Sequence, residues 1–292
     1  MRRSAALAAL LLAAPVAAPA IAEEPMEVLP SGHAVATVRV GDKGPRRFII
    51  DTGASNTNLL ARFVAASPEL ERKAAARPLE AASGSLPAVV ARIPRLTTQG
   101  RTFLDLPAFL LPAGPVDALG VDGVLGADVI SAYAMELDVP GRRWSLTEAP
   151  APAALRGMLP PVAFTLDTAR APRLTVMLNG KPVPALLDTG ANRSVINWAA
   201  AELAGVARGG PALRGGGQAK GASAHAAAVQ QADFAMAVGD HRRDAAPLRI
   251  ADLPIFKAVG MEGPAMILGL DAFADRRIVI DHPRGRLHIA AR

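Results

Sequence analysis

The sequence predicts a mainly β protein of two pseudo-symmetric lobes in one chain, with short helices. Three observations predict it: a duplication of four landmarks in one order, alternating apolar segments that stop at turn residues, and a proline-rich stretch between the copies. The duplication is decisive, because a fixed-order repeat sets architecture. Arg47-Phe48-Ile49-Ile50-Asp51-Thr52-Gly53-Ala54 returns as Ala185-Leu186-Leu187-Asp188-Thr189-Gly190-Ala191. Val124-Leu125-Gly126-Ala127-Asp128 returns as Ile267-Leu268-Gly269-Leu270-Asp271. Gly84 lies 33 residues after Asp51, and Gly221 lies 33 after Asp188. Asp138-Val139-Pro140 and Asp281-His282-Pro283 each begin ten residues after the landmark aspartates Asp128 and Asp271. One short motif recurs by chance; four in the same order, twice, do not.

The 292 residues open with Arg2-Arg3, an Ala/Leu-rich run and Ala20-Ile21-Ala22, which reads as a secretory leader with a small-residue cleavage site. Its apolar run is short for a bilayer span and is broken by Pro15 and Pro19. The expected division is 1–22 leader, 23–29 lead-in, 30–148 first lobe, 149–161 linker (Ala149-Pro150-Ala151-Pro152 and Pro160-Pro161) and 162–292 second lobe. Removal of the leader lowers the formal charge from +6 to +4, and no stable membrane insertion is expected afterwards. Export across the inner membrane, to the periplasm, is the expected destination. The chain has no cysteine, which excludes disulfides, thiol catalysis and Cys-based metal sites. Its arginines are scattered and its aromatics are 4% of residues, so no basic, aromatic-interleaved patch for nucleic acid exists.

Local patterns are mostly those of strands. Ala34–Val40 alternates and stops at Gly41; Leu174–Leu178 stops at Asn179-Gly180, a two-residue hairpin signal. Short helices are expected near 61–66 and 198–204, the second with Asn197 as N-cap and Gly205 as its stop. Around Gly84 and Gly221 the pattern is strand, small-residue turn, strand, so each lobe is expected to own a hairpin.

The chemistry lies in the doubled Asp-Thr-Gly. An aspartate ending a buried apolar strand costs several kcal/mol unless it is paired or hydrogen-bonded. A lone copy is usually a turn aspartate receiving backbone N–H bonds. A pseudo-two-fold would instead bring Asp51 and Asp188 together at the axis. Two carboxyls in contact do not both ionise easily, so one proton is shared. The pair can then take a proton from a water and give one to a carbonyl oxygen. Gly53 and Gly190 permit close backbone approach, and Thr52 and Thr189 can bond across the interface. Gly126 and Gly269 offer flat surfaces to a neighbouring loop. Asp128 and Asp271 are expected to cap the segment after each landmark strand, and Asp138 and Asp281 to shape turns.

These residues resemble the retropepsin-like aspartic proteases, and the fused duplication is similar to bacterial relatives with two such halves. The resemblance covers nearly all of the chain after its leader. It implies retropepsin/pepsin-like lobes with a cleft between them, catalytic Asp51 and Asp188, and a cross-lobe grip by Thr52 and Thr189. The hairpins at Gly84 and Gly221 would be flaps closing over an extended peptide bound as an added strand. Ala54, Ser55, Ala191 and Asn192 would lie along the substrate. The sole tyrosine, Tyr133, falls in neither hairpin, so the aromatic flap residue of pepsin-like enzymes is missing. Alanine at 54 and 191, where pepsin-like enzymes often carry a hydroxyl, removes a hydrogen bond that favours the ionised form. Activity is therefore expected at mildly acidic to near-neutral pH.

The implied function is endopeptidase action on a peptide or protein, by a monomer, with no cofactor. Histidines 33, 225, 241, 282 and 288 lack His-Glu-x-x-His spacing, so no metal is expected and structural roles are. The rival from another class is a catalytically silent peptide-binding envelope module on the same fold. Two costly buried carboxylates weigh against it.

Overall fold

The computed structural model describes residues 23–74, 79–81, 84–86, 89–111, 113–220 and 226–291. The fold is mainly β, with two six-stranded barrels that correspond to the two lobes. The first barrel runs, in sheet order, Ala34–Val40, Pro45–Ile50, Gly123–Leu125, Asn58–Leu60, Arg101–Leu111 and Val89–Thr98. It closes where Arg39 and Val40 pair with Thr97 and Leu96. The second runs Pro172–Leu178, Lys181–Leu187, Met266–Leu268, Val195–Ile196, His241–Ile250 and Ala226–Val238. It closes where Met177 and Leu178 pair with Ala237 and Met236.

In both barrels the strand entering Asp-Thr-Gly runs parallel to the second landmark strand. Ile50 pairs with Leu125, and Leu187 with Leu268. Parallel strands are covered on both faces, which is why both segments read as continuous apolar runs. Ile50, Leu125, Leu187 and Leu268 are fully buried. Closing a barrel also removes the open edges that a lone sheet would expose.

A third sheet joins the halves. Its order is Val162–Ala163, Arg286–Ile289, Arg277–Asp281, Ala134–Asp138, Arg143–Thr147 and Glu24–Val28. The C-terminal strands of the chain thus pair with the end of the first half (Met135↔Ile280, Leu137↔Ile278), around a fully buried Trp144. The proline-rich stretch at 149–161 follows the change of halves along the chain, while this sheet draws strands from both sides of it.

The turns follow their residues. Asn179 and Gly180 both have positive φ (47° and 78°), as a two-residue hairpin requires. Helices form over Ala61–Ala65 and Trp198–Leu203, and Asn197 Oδ1 accepts from Ala200 N at 2.9 Å. A further short helix, Pro254–Ala258, was not expected; it follows Leu253 with no side-chain cap to mark its start. Among the described residues no helix is long and apolar enough to cross a membrane. The leader lies outside the described residues.

Candidate active site

The two Asp-Thr-Gly turns meet back to back. Thr52 N donates to Thr189 Oγ1 (3.1 Å), and Thr189 N donates to Thr52 Oγ1 (3.0 Å). Each hydroxyl then donates to the strand of the other lobe: Thr52 Oγ1 to Leu187 O (2.7 Å), Thr189 Oγ1 to Ile50 O (2.8 Å). Both threonines are 1% exposed, so four bonds are made out of reach of water, where an unmade one is costly.

This grip sets the two carboxyls against each other. Asp51 Oδ1 accepts from Gly53 N (2.8 Å) and Ala54 N (2.9 Å). Asp188 Oδ1 accepts from Gly190 N (2.9 Å) and Ala191 N (3.0 Å). The glycines face across the axis. A Cβ on Gly53 would lie 2.7 Å from Asp188 Cγ, and one on Gly190 would collide harder still with Asp51. No other residue fits, because each carboxyl rests on the opposite glycine's Cα.

Burial pushes the Asp51 carboxyl up from its usual range, against the hydrogen bonds it receives. Burial also pushes Asp188 well up, and the negative charge of Asp51 adds to the rise. The pair therefore keeps a proton at a pH where an isolated carboxyl has lost it. Both residues are mostly buried but keep a partly exposed face, which is open to water and to a ligand.

A second ring of bonds holds these turns. Asp128 and Asp271 were expected to cap the segments after each landmark strand; instead they reach back to the aspartate loops. Asp128 Oδ1 accepts from Thr57 N (2.9 Å) and Thr57 Oγ1 (2.8 Å). Asp271 Oδ1 accepts from Ser194 N (2.9 Å) and Ser194 Oγ (2.7 Å). The same hydroxyls accept from Gly126 N (3.3 Å) and Gly269 N (3.0 Å). Gly126 and Gly269 do press flat on those loops: a Cβ on Gly269 would lie 2.7 Å from Ala191 O, and one on Gly126 2.8 Å from Thr57 N. Thr57 and Ser194 were missed in the sequence, although a hydroxyl residue six places after each aspartate was the available signal. Asp138 accepts from Gly141 N (2.9 Å) and shapes its turn; Asp281 is buried and held by Arg284 (3.1 Å).

The remaining candidates lie near the seam. Ala54 and Ala191 pack on two small apolar clusters, one per lobe: Ile49, Leu111 and Val124 in the first, Val195, Val229 and Ile267 in the second. Ser55 O accepts from Arg170 of the other lobe (3.1 Å), and Asn192 Nδ2 donates to Ser31 O (2.7 Å). Each lobe's leading turn thus clasps the residue four places after the opposite aspartate. Gly84 begins the strand Gly84–Leu86, which pairs with Leu79–Ala81 as a hairpin. That hairpin lies against the helix Pro254–Ala258 of the second lobe, so it reaches across the seam. In the second lobe Lys220 pairs with Ala226, and Gly221 lies outside the described residues, as does His225. The other histidines make structural contacts: His33 with Ser31, His241 with Ala272 O, His282 with Tyr133 O; burial pushes His288 down.

Comparison with known families agrees with this geometry. The family model described as aspartyl protease matches twice, at residues 36–129 and 174–272, about two thirds of the chain. The chain belongs to the aspartyl protease family. A search of curated proteins found no match. Both family segments contain one Asp-Thr-Gly and one apolar-apolar-Gly-x-Asp, so the family match and the internal duplication coincide.

Proposed function

We propose that this aspartyl protease family member is an endopeptidase in which Asp51 and Asp188 activate one water between them. The observation that carries the reading is the reciprocal packing at the axis: each carboxyl rests on the opposite lobe's glycine, where burial pushes both carboxyls up. In the reaction the ionised oxygen of the pair removes a proton from the water as its oxygen attacks the peptide carbon. The retained proton passes to the carbonyl oxygen, giving a neutral gem-diol. The protonated carboxyl then gives its proton to the peptide nitrogen while the ionised one takes a proton from a gem-diol hydroxyl; the C–N bond breaks, and an acid, an amine and the singly protonated pair remain. The acid and base belong to the pair and are not assigned singly.

Thr52 and Thr189 fix the spacing on which this proton traffic depends. The paired strands Leu79–Ala81 and Gly84–Leu86, and in the second lobe Arg214–Lys220 paired with Ala226–Val238, serve as flaps, and the substrate lies beneath them as an extended strand. We place the activity outside the cytoplasm, from the leader-like residues 1–22, and in a monomer, since one chain supplies both aspartates.

The test is digestion of an unbiased peptide library at pH 3 to 8 by wild type, Asp51→Asn and Asp188→Asn. Cleavage by wild type alone, strongest at mildly acidic to near-neutral pH, is the expected result. Equal cleavage by either variant would remove the shared pair. A folded wild type that binds but cuts nothing at any pH would favour the silent binding module.

A further inference from the structure

The lobes match at the site but not along the walls beside it. Each aspartate loop leads into a short strand whose first residue lies seven places on: Asn58 in the first lobe, Val195 in the second. Asn58 pairs with Val124 on one side and Phe109 on the other. Val195 pairs with Ile267 and Arg249. Phe109 and Arg249 therefore hold matching places in the two barrels. Five places after the aspartates, Asn56 is matched by Arg193. At these matched places the first lobe has no charge and the second has two cations.

Arg249 faces the site side of its sheet. Its strand neighbours Leu248 and Ile250 are in the barrel core, so alternation turns Arg249 the other way. Ala251, two places on, belongs to the cluster with Val195, Val229 and Ile267 that packs against Ala191, next but two to Asp188. The side chain is half-buried, and burial together with the charge of Arg193 presses its guanidinium down from its usual range. Asp271 attracts it, but Asp271 Oδ1 is occupied by Ser194. Among the described residues neither Arg249 nor Arg193 has a side-chain hydrogen bond or ion pair. Arg173 of the same lobe shows the ordinary alternative, donating from both Nε (2.9 Å) and Nη2 (2.6 Å) to Asp167. A half-buried cation without a partner is costly, and a bound carboxylate would offset that cost.

We propose that Arg249, with Arg193 beside it, forms a receptor for an acidic side chain on the second lobe's wall, so that preferred substrates carry Asp or Glu on that side of the bond cut. The proposal rests on the cleft being a peptide-binding site. Its test therefore uses binding by the Asp51→Asn protein, which separates recognition from cleavage. A set of octapeptides is prepared in pairs, Glu against Gln at each position in turn. At one position the Glu peptide is expected to bind about tenfold tighter at low salt, as a charged hydrogen bond allows. Arg249→Met in the same background erases that preference while the Gln peptides bind as before. Arg249→Lys keeps most of it and serves as the check on folding. Arg249→Glu favours Lys at the same position. Equal binding of Glu and Gln peptides at every position, a preference that survives Arg249→Met, or no peptide binding at all would overturn the receptor. A Glu preference lost in Arg249→Met, alongside a wild type that cuts none of these peptides, would keep the receptor and overturn the endopeptidase.

Discussion

The first lobe and the second lobe share their chemistry and differ in their walls. Around the axis the correspondence is bond for bond: Thr52 answers Thr189, Gly53 answers Gly190, and Thr57 on Asp128 answers Ser194 on Asp271. One step outward it lapses, with Asn58, Phe109 and Asn56 against Val195, Arg249 and Arg193. The difference teaches where the chain is constrained. A shared proton needs two equivalent carboxyls, whereas a peptide has a direction and presents different side chains to the two walls.

The largest expected effect tests the symmetric part. Thr52→Val orphans Leu187 O and Thr189 N; Thr189→Val orphans Ile50 O and Thr52 N. Each buried orphan costs about 1–3 kcal/mol, so each variant is expected to lose about 4 kcal/mol in urea unfolding. Equal losses sharpen the comparison. A loss confined to one variant breaks it.

The next effect belongs to one half alone. Where the first half has Val139, the second has His282, whose Nδ1–H donates to Tyr133 O at 3.0 Å. Burial pushes this histidine from 6.5 down to about 4. The unfolded chain binds the proton first, so stability is full above 6.5 and is lost as pH falls toward 4, by about 3 kcal/mol. His282→Gln should flatten that loss in unfolding measured across pH 4 to 7. The aspartate pair acts with the opposite sign. Its raised values mean that the folded state holds the proton longer, so stability falls as pH rises above the usual carboxylate range. Asp188→Asn should remove part of that fall; an unchanged pH profile would contradict the raised values.

Smaller again is the effect of a methyl at the axis. Gly53→Ala and Gly190→Ala are both expected to lower kcat/KM about a hundredfold, the scale of a misplacement near 1 Å. Gly190→Ala should be the worse of the two, since its Cβ meets the opposite carboxyl more closely. The smallest effect is the exchange Thr57→Ser with Ser194→Thr, which keeps every bond. It should change Tm by less than about 1 kcal/mol's equivalent, because only one methyl is moved on each side. A large loss would mean that these hydroxyl loops are not equivalent.

The doubled Asp-Thr-Gly, its threonine grip and the pressing glycines were legible in the sequence, because each rests on a residue type that little else can replace. The hydroxyls of Thr57 and Ser194 were harder, since Thr and Ser differ and their partners Asp128 and Asp271 read equally well as caps. The joining sheet was not legible: Ile278 and Ile280 look like any apolar strand, and nothing local says that they pair with Leu137 and Met135 across the chain. Arg249 was hidden for the same reason. Its place beside Val195 is set by a parallel pairing between residues far apart in sequence, and such contacts leave no spacing to read.

The two lobes place one carboxyl each in a single pair at the axis. Carboxyl titration of Asp-labelled protein by carbon NMR tests it most directly. One transition is expected well above the usual range in wild type, and Asp51→Asn is expected to move the Asp188 transition down by removing the neighbouring charge. Two independent transitions in the ordinary range, with Asp188 unmoved by Asp51→Asn, would contradict it.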